Sequence, residues 1–570
     1  MHMRYTYYVL LVFGAGAMGR APCDSPIYCQ GDLLHTVQMA KLFADDKTFV
    51  DRPMLQPEAS VLAEFARIGG ANATRAALEQ FVEENFGSAG YELQPANVEA
   101  THDPSFLDRV QDPVVQAFGR AVHGMWGQLV RAQDLSRVCP SCSSMLELKH
   151  RFVVPGGRFV EPYYWDTYFA LEGVLRSGLH GLATDSIRNL LDLVTKHGFV
   201  PNGARVYYLS RSQPPLLALM VKLHYEFTHD ASFVCEALPV LRREHDYWME
   251  KHKVNVLVSN RVWELNRYFV DIDVPRPESY SDDYELARNV SSSDERRWTQ
   301  VYADITAAAE SGWDFSSRWV REPDAPPERL LQTIRTRDVV PVDLNAILYQ
   351  AEMAIAELAV VSNDPALAAD FWRQAETRHE AIDAVMLDHE SGLYFDYILS
   401  EQRQSRDFTA ASLWPYWAFN ATHSGQADSA FNHVNRILDT NPGGLPATLR
   451  TTGQQWDAPM AWPPQQYVAM QSALSANHTR LAQRVAQMYV NSVFCAWYAT
   501  GGSLAGVVEK KANVADSGHM FEKFDSTRVG RAGGGGEYTV QDGFGWTNGV
   551  LLWALDKFGH VLGAPACPPS

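Results

Sequence analysis

From Glu161 onward, stretches with apolar residues at i, i+3, i+4 and i+7 alternate with short polar connections rich in Gly, Pro, Asn and Asp. Examples are DTYFALEGVLRSGLHG, TDSIRNLLDLVTKHG, LNAILYQAEMAIAELAVV, NHTRLAQRVAQMYVNSVFCAWY and NGVLLWALDKFGH. The spacing predicts antiparallel helical pairs, and strand-like alternation is scarce. An all-α body of helical hairpins follows, stacked in a ring or as an α-solenoid. Upstream, VLAEFARI and RAALEQFVEENF predict helices in an N-terminal extension packed on that body. The expected division is 1–19 as a leader, 20–140 as the extension, 141–560 as the main body and 561–570 as a tail.

Composition narrows the class. Of 570 residues 46% are hydrophobic and 20% charged, which is core-forming rather than disordered material. The net charge of −18, with no basic run, disfavours nucleic acid as a partner. Residues Tyr5 to Phe13 form a short apolar run after Arg4, and Ala15 to Ala17 follow in an A-x-A pattern. That has the form of a secretory leader, so export is expected, with membrane association only if the leader stays uncleaved. The same residues spell G-x-G-x-x-G, but Pro22 and Pro26 forbid the helix a dinucleotide site requires. Sequons at Asn72, Asn289, Asn420 and Asn477 fit an exported, glycosylated chain. Among seven cysteines, Cys23–Cys29 reads as a bridge, Cys139 and Cys142 as a local disulfide or two quiet thiols, and Cys235 and Cys495 as core filling.

Chemistry-bearing residues concentrate in the connections, where function usually sits above a rigid frame. The clusters are Pro155 to Tyr168, Asn202 with Arg211 to Gln213, Arg276-Pro-Glu278, and Glu310 to Arg318. Late in the chain come Gln455 to Pro464, Phe521 to Asp525, and Gly533 to Tyr538 leading into Gly543 to Gly549. Trp and Tyr offer flat apolar faces to a pyranose, and Arg, Asn, Gln and carboxylates offer directional hydrogen bonds to hydroxyls. Carboxyl pairs beside aromatics supply the acid and base that acetal cleavage needs. No H-E-x-x-H or D-x-D-x-D-G motif is present, so metal is not called for, and the glycine run lacks the Lys-Ser/Thr of a phosphate loop.

The segments PGGRFVEPYYWDTYF and QWDAPMAWPP resemble the two signature stretches of the trehalase family. CQGDLLHTVQMAKLFADDKTFVD and GGGGEYTVQDGFGWTNGV resemble its flanks, so the likeness runs from about Cys29 to Gly559. It implies an (α/α)6 toroid with long catalytic loops and an inverting glycoside hydrolase that splits α,α-trehalose without metal or organic cofactor. Position by position, Asp314 matches the family's general acid and Glu522 its general base. Arg158, Trp165, Asp166, Asn202, Arg211, Ser212, Gln213, Arg276, Glu278, Gly312 and Glu537 match residues lining the two glucose subsites. Inversion needs room for a water between the carboxyls, about 6.5–9.5 Å. The Trp313 indole is expected to desolvate Asp314 and keep it protonated.

Each reading has a plain counterpart. Asp314 could cap the helical turn that follows it, and Glu522 could be a solvated carboxylate. Arg158, Arg211 and Arg276 could be ion-pair partners only, and Trp165 and Trp456 core aromatics. A sugar-binding protein without catalysis, and a hydrolase of another α-glucoside, are the alternatives.

Overall fold

Among the residues described by the computed structural model (20–99, 102–419 and 425–568), six helices form an inner ring. They are Tyr164–Arg176, Leu217–Thr228, Val342–Val361, Trp414–Ala418, Pro463–Ser475 and Gly545–Phe558. Each packs on the next, and the last returns to pack on the first. Closure separates this body from an open solenoid. The outer helices Pro113–His123, His180–His197, Ala231–Lys251, Pro365–Met386, Gly425–Asp439 and Thr479–Ala499 alternate with the inner ones along the chain. The expected leader and the Asn420 sequon lie outside the described residues.

Inner and outer helices differ in sequence for a physical reason. An inner helix meets protein on all sides, so it is apolar all round. In Tyr164–Arg176 every residue except Arg176 is buried, and in Gly545–Phe558 all but Asp556 and Lys557. An outer helix buries one stripe, as Gly425–Asp439 does with Ala427, Ala430, Phe431, Val434, Ile437 and Leu438. Asp112, Asp230 and Asp364 start three of the outer helices by accepting N–H bonds of their first turns at 3.0 Å. The first and last ring helices meet backbone to backbone. A Cβ on Gly549 would lie 2.0 Å from the Phe169 carbonyl oxygen, so only glycine closes this seam. Val342–Val361 is long and apolar enough to cross a membrane, but here it is an inner-ring helix with most of its residues buried in protein.

The segment upstream of the ring is not uniform. Residues between Ile27 and Phe86 form their own hydrophobic cluster, which touches Tyr163, Tyr207 and Tyr208. Those from Leu93 onward join the main core, including the outer helix Pro113–His123. The hairpin helices Tyr280–Val290 and Glu295–Glu310 are inserted between ring helices and deliver the chain to Gly312 and Asp314. Cys23–Cys29 and Cys139–Cys142 are disulfides. Two cysteine expectations are corrected: Cys495 bonds Cys567, fastening the chain's last residues to an outer helix, and Cys235 is an exposed free thiol. Its position on the solvent side of Ala231–Lys251 accounts for the difference.

Candidate active site

The connections that precede the inner helices converge on one cavity lined by aromatic, arginine and carboxylate side chains. Trp165 and Asp166 reach it from the first turn of Tyr164–Arg176, and Trp546 from that of Gly545–Phe558. A short antiparallel pair, with Phe524 opposite Ala461, brings the Phe521–Asp525 and Gln455–Pro464 clusters together. Of the expected residues Arg158, Trp165, Asp166, Asn202, Arg211, Gln213, Arg276, Glu278, Gly312, Asp314, Glu522 and Glu537 all line this one cavity.

Ser212 is the correction. Its hydroxyl donates to the Val200 carbonyl at 2.6 Å and its N–H to Glu310 at 3.0 Å, so the side chain faces backbone rather than the cavity. Buried Glu310 also accepts from the Phe269 N–H and pairs with His252, and it holds the loop on which Arg211 and Gln213 stand.

Three arginines build a polar wall. Arg211 donates to Asn202 Oδ1 at 2.7 Å and to Glu278 at 2.6 Å. Arg276 grips Asp283 through two nitrogens at 2.7 and 2.8 Å and reaches Glu537 at 3.0 Å. Arg158 donates to Asp45 at 3.0 Å, with its guanidinium 4.6 Å from the centre of the Tyr538 ring. All three are therefore ion-paired and cavity-lining at once. Glu278 Oε2 and Arg158 Nε are buried without a protein partner, and such atoms suit ligand hydroxyls.

The apolar wall is a stack. Trp456 lies parallel to Trp462 at 3.9 Å and to Trp313 at 5.1 Å. Trp456 and Trp462 line the cavity, whereas Trp313 does not and is fully buried against Trp456. Gly312 has φ +74°, and a Cβ there would lie 2.8 Å from the Trp165 indole.

Five carboxyls meet in this space. Asp314 is half-buried, and low-polarity surroundings push it up to about 6 against the opposing pull of Arg276. It caps no helix; Ser316 caps the turn Ser317–Trp319. Glu522 is buried, not solvated, and burial raises it while Lys523 and the 2.8 Å bond from the Tyr538 hydroxyl pull it back. Burial, then repulsion from Glu522 and Asp314, holds Asp166 well above the carboxylate range. Burial lifts Glu537 to about 7, although Arg276 opposes this. Glu278 differs: burial disfavours its charge, but Arg211 and Arg276 outweigh burial and keep it ionised.

Further cavity residues were not singled out from sequence. Phe159, Tyr163, Trp462, Tyr538 and Trp546 fall inside the clusters named there. Tyr208 and Lys47 do not, and Lys47 comes from the N-terminal extension with no local signal. Among the described residues no three His, Cys, Asp or Glu side chains converge as metal ligands.

A closed ring of helical hairpins, with several carboxyls sharing one cavity with indoles and arginines, defines the class of helical-toroid glycoside hydrolases. Within that class the chain belongs to the trehalase family, whose model, described as Trehalase, matches residues 41–559. It is 40% identical over 567 residues to the trehalase of Homo sapiens, covering 97% of this chain and 94% of that one. It is 38% identical over 553 residues to the trehalase of Bombyx mori, covering 95% and 92%. The fold is similar to that of the neutral trehalase Nth1 from Saccharomyces cerevisiae. The TM-score is 0.55 at 24% identity, over 72% of this chain and 73% of the other.

Proposed function

We propose that this protein hydrolyses α,α-trehalose to two molecules of glucose with inversion, using Asp314 as general acid and Glu522 as general base. The observation that carries the reading is that both carboxyls line one cavity, in a chain that belongs to the trehalase family along almost its whole length. Asp314 gives its proton to the glycosidic oxygen as the C–O bond breaks. Glu522 takes a proton from the water that attacks the anomeric carbon from the opposite face. Arg211, Arg276 and Arg158 with Asn202, Gln213, Glu278 and Glu537 grip the hydroxyls of the two sugar rings, while Trp165 and Trp456 support their apolar faces. Protonated Asp166 donates to a hydroxyl.

One turnover should release one β- and one α-glucose, read by proton NMR before mutarotation. Two α-glucoses at first turnover would reject inversion, and faster cleavage of maltose or sucrose would reject the substrate. The pH profile of kcat/KM should be bell-shaped with its maximum on the acidic side of neutrality. Activity falls as pH rises through about 6, where Asp314 loses its proton, and on the acid side as Glu522 gains one. A plateau extending above pH 8 would contradict Asp314 as the acid.

We also propose that the protein is secreted and glycosylated. Three disulfides suit an oxidising compartment, and Asn72, Asn289 and Asn477 are exposed.

A further inference from the structure

The acid and base lie 208 positions apart in sequence, on segments that enter the cavity from different loops, yet the reaction requires a fixed separation between them. We propose that Gln455 and Lys523 form a strut that sets that separation, and that they are positioning residues for the reaction. This rests on the assignment of Asp314 and Glu522 made above.

The Gln455 side chain is buried and bonded at both ends. Its Nε2 donates to the main-chain carbonyl of Asp314 itself. Its Oε1 accepts from Lys523 Nζ at 2.7 Å, and Lys523 is the residue next to Glu522. A single amide thus joins the acid's own backbone to the base's neighbour. Both ends of the strut are independently fixed. Trp462 Nε1 donates to the Gln455 carbonyl at 2.8 Å, and the Trp456 N–H donates to the Phe315 carbonyl at 3.0 Å. Lys523 is fully buried, with its ammonium 4.7 Å from the centre of the Trp462 ring, and its main-chain carbonyl accepts from the Gly533 N–H at 2.9 Å. The glycine run closes over the amide: a Cβ on Gly536 would lie 2.6 Å from Gln455 Oε1.

A buried lysine is costly unless it is needed, and among the described residues this one pairs with no carboxylate and instead donates to Gln455 Oε1. Its shortest hydrogen bond is to the neutral side-chain oxygen of Gln455. That arrangement suits a spacer: the hydrogen bonds order the two segments, and the Lys523 charge at the same time favours the ionised form that Glu522 needs as a base. A displacement of about 1 Å between reacting groups can cost about 100-fold in rate. Loss of the strut should therefore appear in kcat and leave sugar binding in place.

The test is a double-mutant cycle on the full chain with trehalose. Gln455→Ala and Lys523→Met should each lower kcat about 100-fold with KM changed less than threefold. The double variant should be no worse than the poorer single one, because one strut can be broken only once. Gln455→Glu keeps an acceptor for Lys523 but cannot donate to Asp314, so it should stay folded and still lose kcat. It carries the test if the alanine variant does not fold. Multiplicative losses in the double variant, KM rising as much as kcat falls, or wild-type kcat in Gln455→Glu would each overturn the strut. Asp314→Asn in the same series separates the two readings. If that variant is inactive while the strut variants are normal, only the strut fails; if it is fully active, the acid assignment fails first.

Discussion

Asp314→Asn should lower kcat on trehalose roughly 10²–10⁴-fold, the usual contribution of a positioned general acid, while KM moves by no more than a few fold. The split follows from the geometry. Asp314 is raised to about 6 by its surroundings, so its working form is the neutral carboxyl, and asparagine reproduces that shape and charge without a transferable proton. Binding therefore survives and bond cleavage does not. Glu522→Gln should cost a similar factor for the complementary reason: a neutral amide accepts no proton from water, although it can still take the Tyr538 hydroxyl bond. The two variants should differ in pH dependence. The asparagine variant loses the alkaline limb, the glutamine variant the acid limb. Steady-state kinetics of either variant within tenfold of wild-type kcat would remove that residue from its role.

Helix periodicity made the all-α body of helical hairpins legible because inner helices are apolar all round and outer ones carry a single stripe. Closure was not legible. It rests on the contact at Gly549 and Phe169, between helices that start at Tyr164 and Gly545. Asp314 and Glu522 came from the family resemblance, since spacing alone left Asp314 as a possible cap and Glu522 as a possible surface group. Ser212 was misplaced because its neighbours Arg211 and Gln213 face the cavity, and the turn between them directs its hydroxyl to Val200. Trp313 was expected to help desolvate Asp314, and burial does raise that group; what was not legible is that Trp313 stacks on Trp456, a relation formed across 143 residues. Lys47 was invisible for a similar reason. Its role depends on Glu161 and Tyr207, and nothing in DDKTFVD signals such partners.

Arg205→Met should destabilise the N-terminal segment severely, by about 3–5 kcal/mol, as expected when one partner of a buried ion cluster is removed. The Arg205 side chain is fully buried with Glu92 at 2.8 Å, Glu161 at 3.4 Å and Asp51 at 3.6 Å. Lys47 is the second cation, 2.6 Å from Glu161 and bonded to Asp51. Two cations thus serve three carboxylates, and removing one leaves two carboxylates without compensation. Burial alone would raise Glu161, but Lys47 and Arg205 outweigh it and hold the group at about 2. A folded-state value below the ordinary carboxylate range of about 4.3 stabilises the fold above that range. The contribution is lost as pH falls from about 4 toward 2. In the variant that acid-side loss should begin at higher pH, and limited proteolysis at neutral pH should cut between Ile27 and Phe86 before it cuts the ring. The cluster also reaches the cavity. Glu161 accepts from the Tyr163 hydroxyl at 2.8 Å, and Tyr163 meets Tyr208 at 2.6 Å, both of which line the site. Trehalose should consequently slow the proteolysis of wild-type protein more than that of Arg205→Met. Equal protection of both, or unchanged acid stability, would show that the charges merely share a space and do not couple the extension to the site.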